Sequence, residues 1–88
     1  MIDEKLKYKA IGSLAVPANG KLIYSMLLDN ADEKGELQIS MKEISRSLRI
    51  GKKAVSNNLR RIEKTGSIRV IPQFHPDGGR AANKYIVR

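Results

Sequence analysis

Ser40-Met41-Lys42-Glu43-Ile44-Ser45-Arg46-Ser47-Leu48-Arg49-Ile50-Gly51-Lys52-Lys53-Ala54-Val55-Ser56-Asn57-Asn58-Leu59-Arg60-Arg61-Ile62-Glu63-Lys64-Thr65-Gly66 is the stretch that decides the fold. Ser40 and Glu43 have capping-box spacing: the serine hydroxyl accepts a backbone N–H at the third helical position while the glutamate reaches back, which predicts a helix from Met41. Its apolar positions are Met41, Ile44 and Leu48, and Ser45 is small where two helices must approach closely. Ile50 is the apolar plug of the turn, and Gly51 is an acceptable cap for a second helix. There Val55, Leu59 and Ile62 fall at i, i+4 and i+7 and turn one stripe inward. At about 100° per residue, Lys53, Asn57, Arg60 and Lys64 then point outward, flanked by Ser56 and Arg61. Thr65-Gly66 ends the helix, the glycine supplying the left-handed conformation past the last turn. Two amphipathic helices around a tight turn, the second with a cationic outer face, form a helix-turn-helix pair.

Downstream, Ser67 to Phe74 and Ala82 to Arg88 alternate apolar with polar residues around His75-Pro76-Asp77-Gly78-Gly79-Arg80, whose Pro-Asp-Gly-Gly core favours chain reversal. This predicts a β-hairpin. Pro72 lacks a backbone donor, so its strand should be an edge or be bulged there. Upstream, Asn19 to Ala31 places Leu22, Ile23, Met26 and Leu27 on one helical face, with Asn19 as candidate cap and with Tyr24 and Leu28 widening the stripe. Asp32 to Glu36 is turn chemistry, and Leu37-Gln38-Ile39 alternates as a short strand. Residues 6–10, Leu-Lys-Tyr-Lys-Ala, alternate with period two, as a half-buried strand or extended arm would; a frayed terminus is the alternative.

The composition limits what such a chain can do. Eighty-eight residues with 41% hydrophobic content suit one small core. The absence of cysteine excludes disulfides, thiolate metal sites and cysteine nucleophiles. No apolar stretch approaches the roughly 20 residues of a membrane span, and the start lacks the apolar core of a signal peptide, so a cytoplasmic protein without a membrane partner is expected. The formal net charge of +8 is unevenly placed: residues 1–41 carry five basic and six acidic side chains, residues 42–88 twelve and three. A charge run is most often a solvated face, but one that coincides with a helix pair points to nucleic acid.

The order helix, short strand, helix, turn, helix, hairpin over residues 17–88 resembles the winged helix-turn-helix superfamily. Pro17 to Leu28, followed by Gly35-Glu36, is similar to the first helix and strand of N-terminal domains of phage and plasmid replication initiators and DnaD-type primosome proteins. Asn58-Leu59-Arg60-Arg61-Ile62-Glu63-Lys64-Thr65-Gly66-Ser67-Ile68 is similar to the superfamily's recognition-helix exit. The resemblance implies an α+β fold of three helices with a small antiparallel sheet and a C-terminal hairpin wing, preceded by an arm or strand over residues 1–16. Such patterns are specific for fold and weak for biological role. Arg49 stands where the superfamily usually has glycine in a left-handed turn. A side chain there costs on the order of 1 kcal/mol if the geometry is kept, so the turn either carries that cost or is rebuilt.

For function, the outward residues matter most. Lys52, Lys53, Ser56, Asn57 and Arg60 suit a helix entering the major groove, with Asn57 matched to adenine and Lys53 or Arg60 to guanine. Arg61, Lys64, Lys42 and Arg46 suit phosphates. The resemblance places Arg80 and Lys84 of the wing on flanking backbone or minor groove, and His75 reads as a neutral turn residue. The expectation is sequence-specific double-stranded DNA binding by a small transcriptional regulator, with a replication or partition protein of a mobile element as the alternative in the same class. A protein-interaction module is the alternative from another class, favoured by an apolar patch at Tyr8, Ile11, Leu14 and Ile71. Neither an enzyme nor a cofactor or metal is expected, since no carboxylate pair, phosphate-cradling glycine loop or nucleophile-base set is present. One such unit contacts few base pairs, so a homodimer is expected, through Lys5 to Val16 or the first helix.

Overall fold

A computed structural model of the chain describes residues 4–88. Four helices, α1 (Glu4–Ser13), α2 (Ala18–Asn30), α3 (Met41–Leu48) and α4 (Lys52–Lys64), combine with three strands, β1 (Glu36–Gln38), β2 (Ile68–Phe74) and β3 (Arg80–Val87). The strands form an antiparallel sheet in the order β1-β3-β2. This is the α+β, winged-helix arrangement expected, with one helix more. The first three residues of the expected arm lie outside the described residues.

The extra helix corrects the reading of residues 6–10. A five-residue alternation is too short to separate a strand from a helix, and what decides is the surface offered for packing. Ala10 and Ile11 of α1 pack partly buried against the core, and Leu14, just past the helix, is buried, so this face needs α2 beneath it. Lys7 pairs with Asp29 near the end of α2, and Lys21 near its start donates to the Gly12 carbonyl at 3.1 Å. The expected apolar stripe of α2 is also rotated. Ile23, Tyr24 and Leu27 are buried, Met26 is half-buried, and Leu22 is 51% exposed. Gly20, Ile23, Tyr24 and Leu27 form the inner face because Gly20 lets α4 approach: a Cβ at Gly20 would lie 2.9 Å from Asn58 Oδ1. The helix starts after Pro17, which caps it without a side-chain bond, so Asn19 lies inside the first turn instead of capping it.

The helix pair forms as its sequence dictates. Ser40 Oγ accepts from the Glu43 N–H at 3.0 Å, which is the serine half of the expected capping box. Ile44 is fully buried from α3; Val55, Leu59 and Ile62 are buried from α4 and Ile50 from the turn between them. The turn is not rebuilt: Arg49 holds φ 55° and ψ 43°. It is laced by Ser45, whose carbonyl accepts from the Arg49 and Ile50 N–H groups and whose Oγ donates to the Ile50 carbonyl at 2.5 Å. Arg49→Gly is therefore expected to stabilise the fold by about 0.5–1 kcal/mol, read as a higher urea midpoint at unchanged slope. An unchanged or lower midpoint would mean that the turn carries no strain.

The hairpin follows its proline and glycines. The register pairs Ile68 with Val87 through Ile71 with Lys84, then shifts so that Gln73 faces Ala81 and Phe74 faces Arg80. Pro72 thus lies on β2, an edge strand, as the missing donor allowed, while the bulge opposite it belongs to central β3, where Ala82 and Asn83 face the one proline. The bulge is held from β1: Gln38 Nε2 donates to the Ala82 carbonyl at 2.9 Å and the Ile39 N–H to that of Asn83 at 3.2 Å. At the tip the Gly78 N–H donates to the His75 carbonyl, and Gly78 takes φ 90°. Before β1, Asp32 Oδ1 accepts from the N–H groups of Glu36 and Lys34, and the Glu36 bond above all holds that carboxyl below its usual range.

Candidate nucleic-acid interface

Burial of Val55, Leu59 and Ile62 fixes the rotation of α4, and its opposite stripe is open. Lys53, Asn57, Arg60 and Lys64 are all exposed along it. Among the described residues no ion pair involves a cation of α4. Its one carboxylate, Glu63, instead accepts the Val70 N–H at 2.9 Å, bracing the end of α4 on β2. The stripe consequently presents cations and one amide with no competing acid. Lys52 is exposed in the first turn, Arg61 in the last, and Lys42 and Arg46 stand exposed on α3.

Other expected residues are placed differently. Ser56 is half-buried and lines a shallow groove against the sheet with Leu59, Val70 and Tyr85. Lys84 is half-buried at mid-strand and pairs with Glu36 across the β1–β3 edge, away from the wing tip. Arg80, the first residue of β3, lies against the Phe74 ring, its guanidinium 5.6 Å from the centroid, and donates to Asn83 Oδ1 at 2.7 Å. His75 is an exposed turn residue whose carbonyl and N–H both close the tip. The Tyr8–Ile11–Leu14–Ile71 patch does not form: Leu14 is buried, Ile11 and Ile71 are half-buried, and only Tyr8 of the four is exposed.

Phe74, Asn83 and Asn58 escaped the sequence reading. Phe74 could have been found from its place: a reversal over His75 to Gly79 sets residue 74 opposite Arg80. Asn58 is buried, its Nδ2 donating to the Ala54 carbonyl at 2.8 Å while Oδ1 has no partner among the described residues. Its neighbour Asn57 is exposed, so rotation about the helix alone separates an outward amide from an inward one.

Taken together, an open cationic helix stripe stands beside a hairpin whose first β3 residue is a held arginine. The fold has a solved counterpart. It is similar to the structure of a possible transcriptional regulator from Methanosarcina mazei Go1, with a TM-score of 0.69 at 15% identity, covering 99% of this chain and 67% of that one. At that identity the likeness concerns the fold alone. No protein-family model and no curated protein matches the sequence. Among the described residues no helix is long and apolar enough to cross a membrane, and no group of His, Cys, Asp or Glu side chains is placed to hold a metal.

Proposed function

We propose that this protein binds double-stranded DNA in a sequence-specific way as a small transcriptional regulator, with α4 in the major groove and the wing on adjacent backbone or minor groove. The observation that carries the reading is the Lys53–Asn57–Arg60–Lys64 stripe, exposed and without ion pairs on a helix whose other side is core. The regulator-like fold of the Methanosarcina protein supports it. Near the start of α4, Lys53 and Asn57 reach base edges with Arg60; Lys64, Arg61, Lys42 and Arg46 meet phosphates. On this reading the protein is a binding protein and catalyses no reaction.

Fluorescence anisotropy with preferred and scrambled duplexes across a salt series tests it. Lys64→Ala should weaken both duplexes alike and flatten the salt slope by about one. Equal affinity of the wild-type chain for both duplexes would remove sequence specificity, and no binding at moderate salt would remove the reading. The proposal includes two copies on DNA, joined through α1, where Leu6 and Tyr8 are exposed; a monomer by sedimentation, free and on DNA, would remove that part. Selection of genomic fragments by the purified protein separates the roles: a site upstream of its own gene supports regulation, whereas an array of repeats supports replication or partition.

A further inference from the structure

Three cations from three elements face one groove. Lys42 at the start of α3, Lys52 at the start of α4 and Arg80 at the start of β3 line it together with Met41 and Asn83, and no carboxylate lines it. Among the described residues none of the three has an ion-pair partner. Cations gathered without an acid repel one another in the free protein, and the arrangement gains from an anion bound between them.

Arg80 is also held in place before any ligand arrives. Its guanidinium lies on the face of Phe74, its cross-strand partner, which is 63% exposed and contributes nothing to the buried core. Asn83 Oδ1 accepts from Arg80 Nη2 at 2.7 Å. The Asn83 amide is oriented in turn: its Nδ2 donates to the hydroxyl of buried Tyr85 at 3.5 Å, leaving the oxygen for the arginine. The bulge opposite Pro72 sets where that amide lies, because its extra residue re-aims the side chains of β3. Guanidinium carries five donors in a rigid fork, so one bond to Asn83 leaves others for an oxyanion.

We propose that Phe74 and Asn83 are positioning residues that hold Arg80 so that, with Lys42 and Lys52, it cradles a single backbone phosphate of the bound duplex between the helix pair and the wing. This rests on the DNA-binding reading above and specifies which residues share one phosphate.

The test counts phosphates. On a short random-sequence duplex, the slope of log affinity against log salt falls by about 0.9 for each phosphate that the protein no longer neutralises. The triple variant Lys42→Ala/Lys52→Ala/Arg80→Ala should lower the slope by about one, as one shared phosphate requires; a fall of about three means three separate phosphates and overturns the cradle. Phe74→Leu should weaken binding about two- to fivefold and Phe74→Tyr should restore it, since only an aromatic face holds the guanidinium. Asn83→Ala should weaken binding as well, and neither variant should add to the loss in an Arg80→Ala background. Persistence of the Phe74→Leu loss in that background would show that the ring meets DNA directly and would overturn the positioning role. Thermal melts check that each variant is folded, and exposed Phe74 should leave the melting temperature unchanged. Absence of any wild-type binding overturns the DNA reading and this inference with it, whereas wild-type binding with the wrong slope or persistent loss overturns this inference alone.

Discussion

Gly35→Ala is expected to destabilise the protein by about 2–4 kcal/mol, a large part of the stability of a domain this size. Two independent effects add. Gly35 has φ 78°, a conformation that costs an alanine roughly 1–2 kcal/mol. A Cβ there would lie 2.8 Å from the Val87 carbonyl oxygen, a backbone atom that cannot swing aside as a side chain would. The same junction carries a 2.7 Å bond from the Val87 N–H to the Gly35 carbonyl, so relieving the clash would draw the end of β3 away from β1. Gly12→Ala is the control: nothing lies within 4 Å of its Cβ, and alanine in the last turn of α1 should be neutral or stabilise by up to about 1 kcal/mol. Urea unfolding of the two variants beside the wild type measures both effects. A Gly35→Ala loss below that of an ordinary surface substitution would show that the β1–β3 junction adapts.

The second large effect concerns recognition. Asn57→Ala/Arg60→Ala should lose about 2–5 kcal/mol of discrimination between the preferred and scrambled duplexes, each good base contact supplying roughly 1–3 kcal/mol. Binding to the scrambled duplex should weaken much less, because the cations that the proposed reading assigns to phosphates, Lys42, Arg46, Arg61 and Lys64, remain. Both side chains are exposed and opposite the core stripe, so the variant should fold with an unchanged midpoint. Equal losses on the two duplexes would reassign Asn57 and Arg60 to backbone contact. Measuring Arg60→Ala alone then apportions the effect: a preserved preference removes that residue from base reading.

These outcomes depend unequally on what sequence could show. The stretch from Ser40 to Gly66 was legible because each signal there is local. A cap acts within three residues, an inward stripe follows from helical spacing, and a terminal glycine answers a backbone need. The edge position of the strand that holds Pro72 was legible for the same reason, since a missing donor bars that residue from a strand paired on both sides. The open stripe on α4 follows from the buried one by geometry alone.

The residues that sequence places wrongly depend on partners far away in the chain. Residues 6–10 show an alternation that a strand and a helix can share, and only the surface of α2 makes a helix of it. Leu22 belongs to an apparent apolar stripe, yet the close approach of α4 at Gly20 turns that stripe and leaves the leucine outside. Lys84 has the charge of a DNA contact, but strand register sets Gln38 opposite it and Glu36 two residues along on the same face, and Lys84 pairs with that glutamate.

By itself, the sequence determined the helix pair, its outward cationic stripe, the position of the hairpin and the concentration of positive charge in the second half. Tertiary structure decided whether Arg49 keeps its left-handed turn, which it does with the next residue, Ile50, buried in the core. Tertiary structure also brought Lys42, Lys52 and Arg80 to one groove. Local propensity acts over a few residues, whereas convergence of side chains separated by some thirty positions requires the packed core and the strand register that the whole chain produces together.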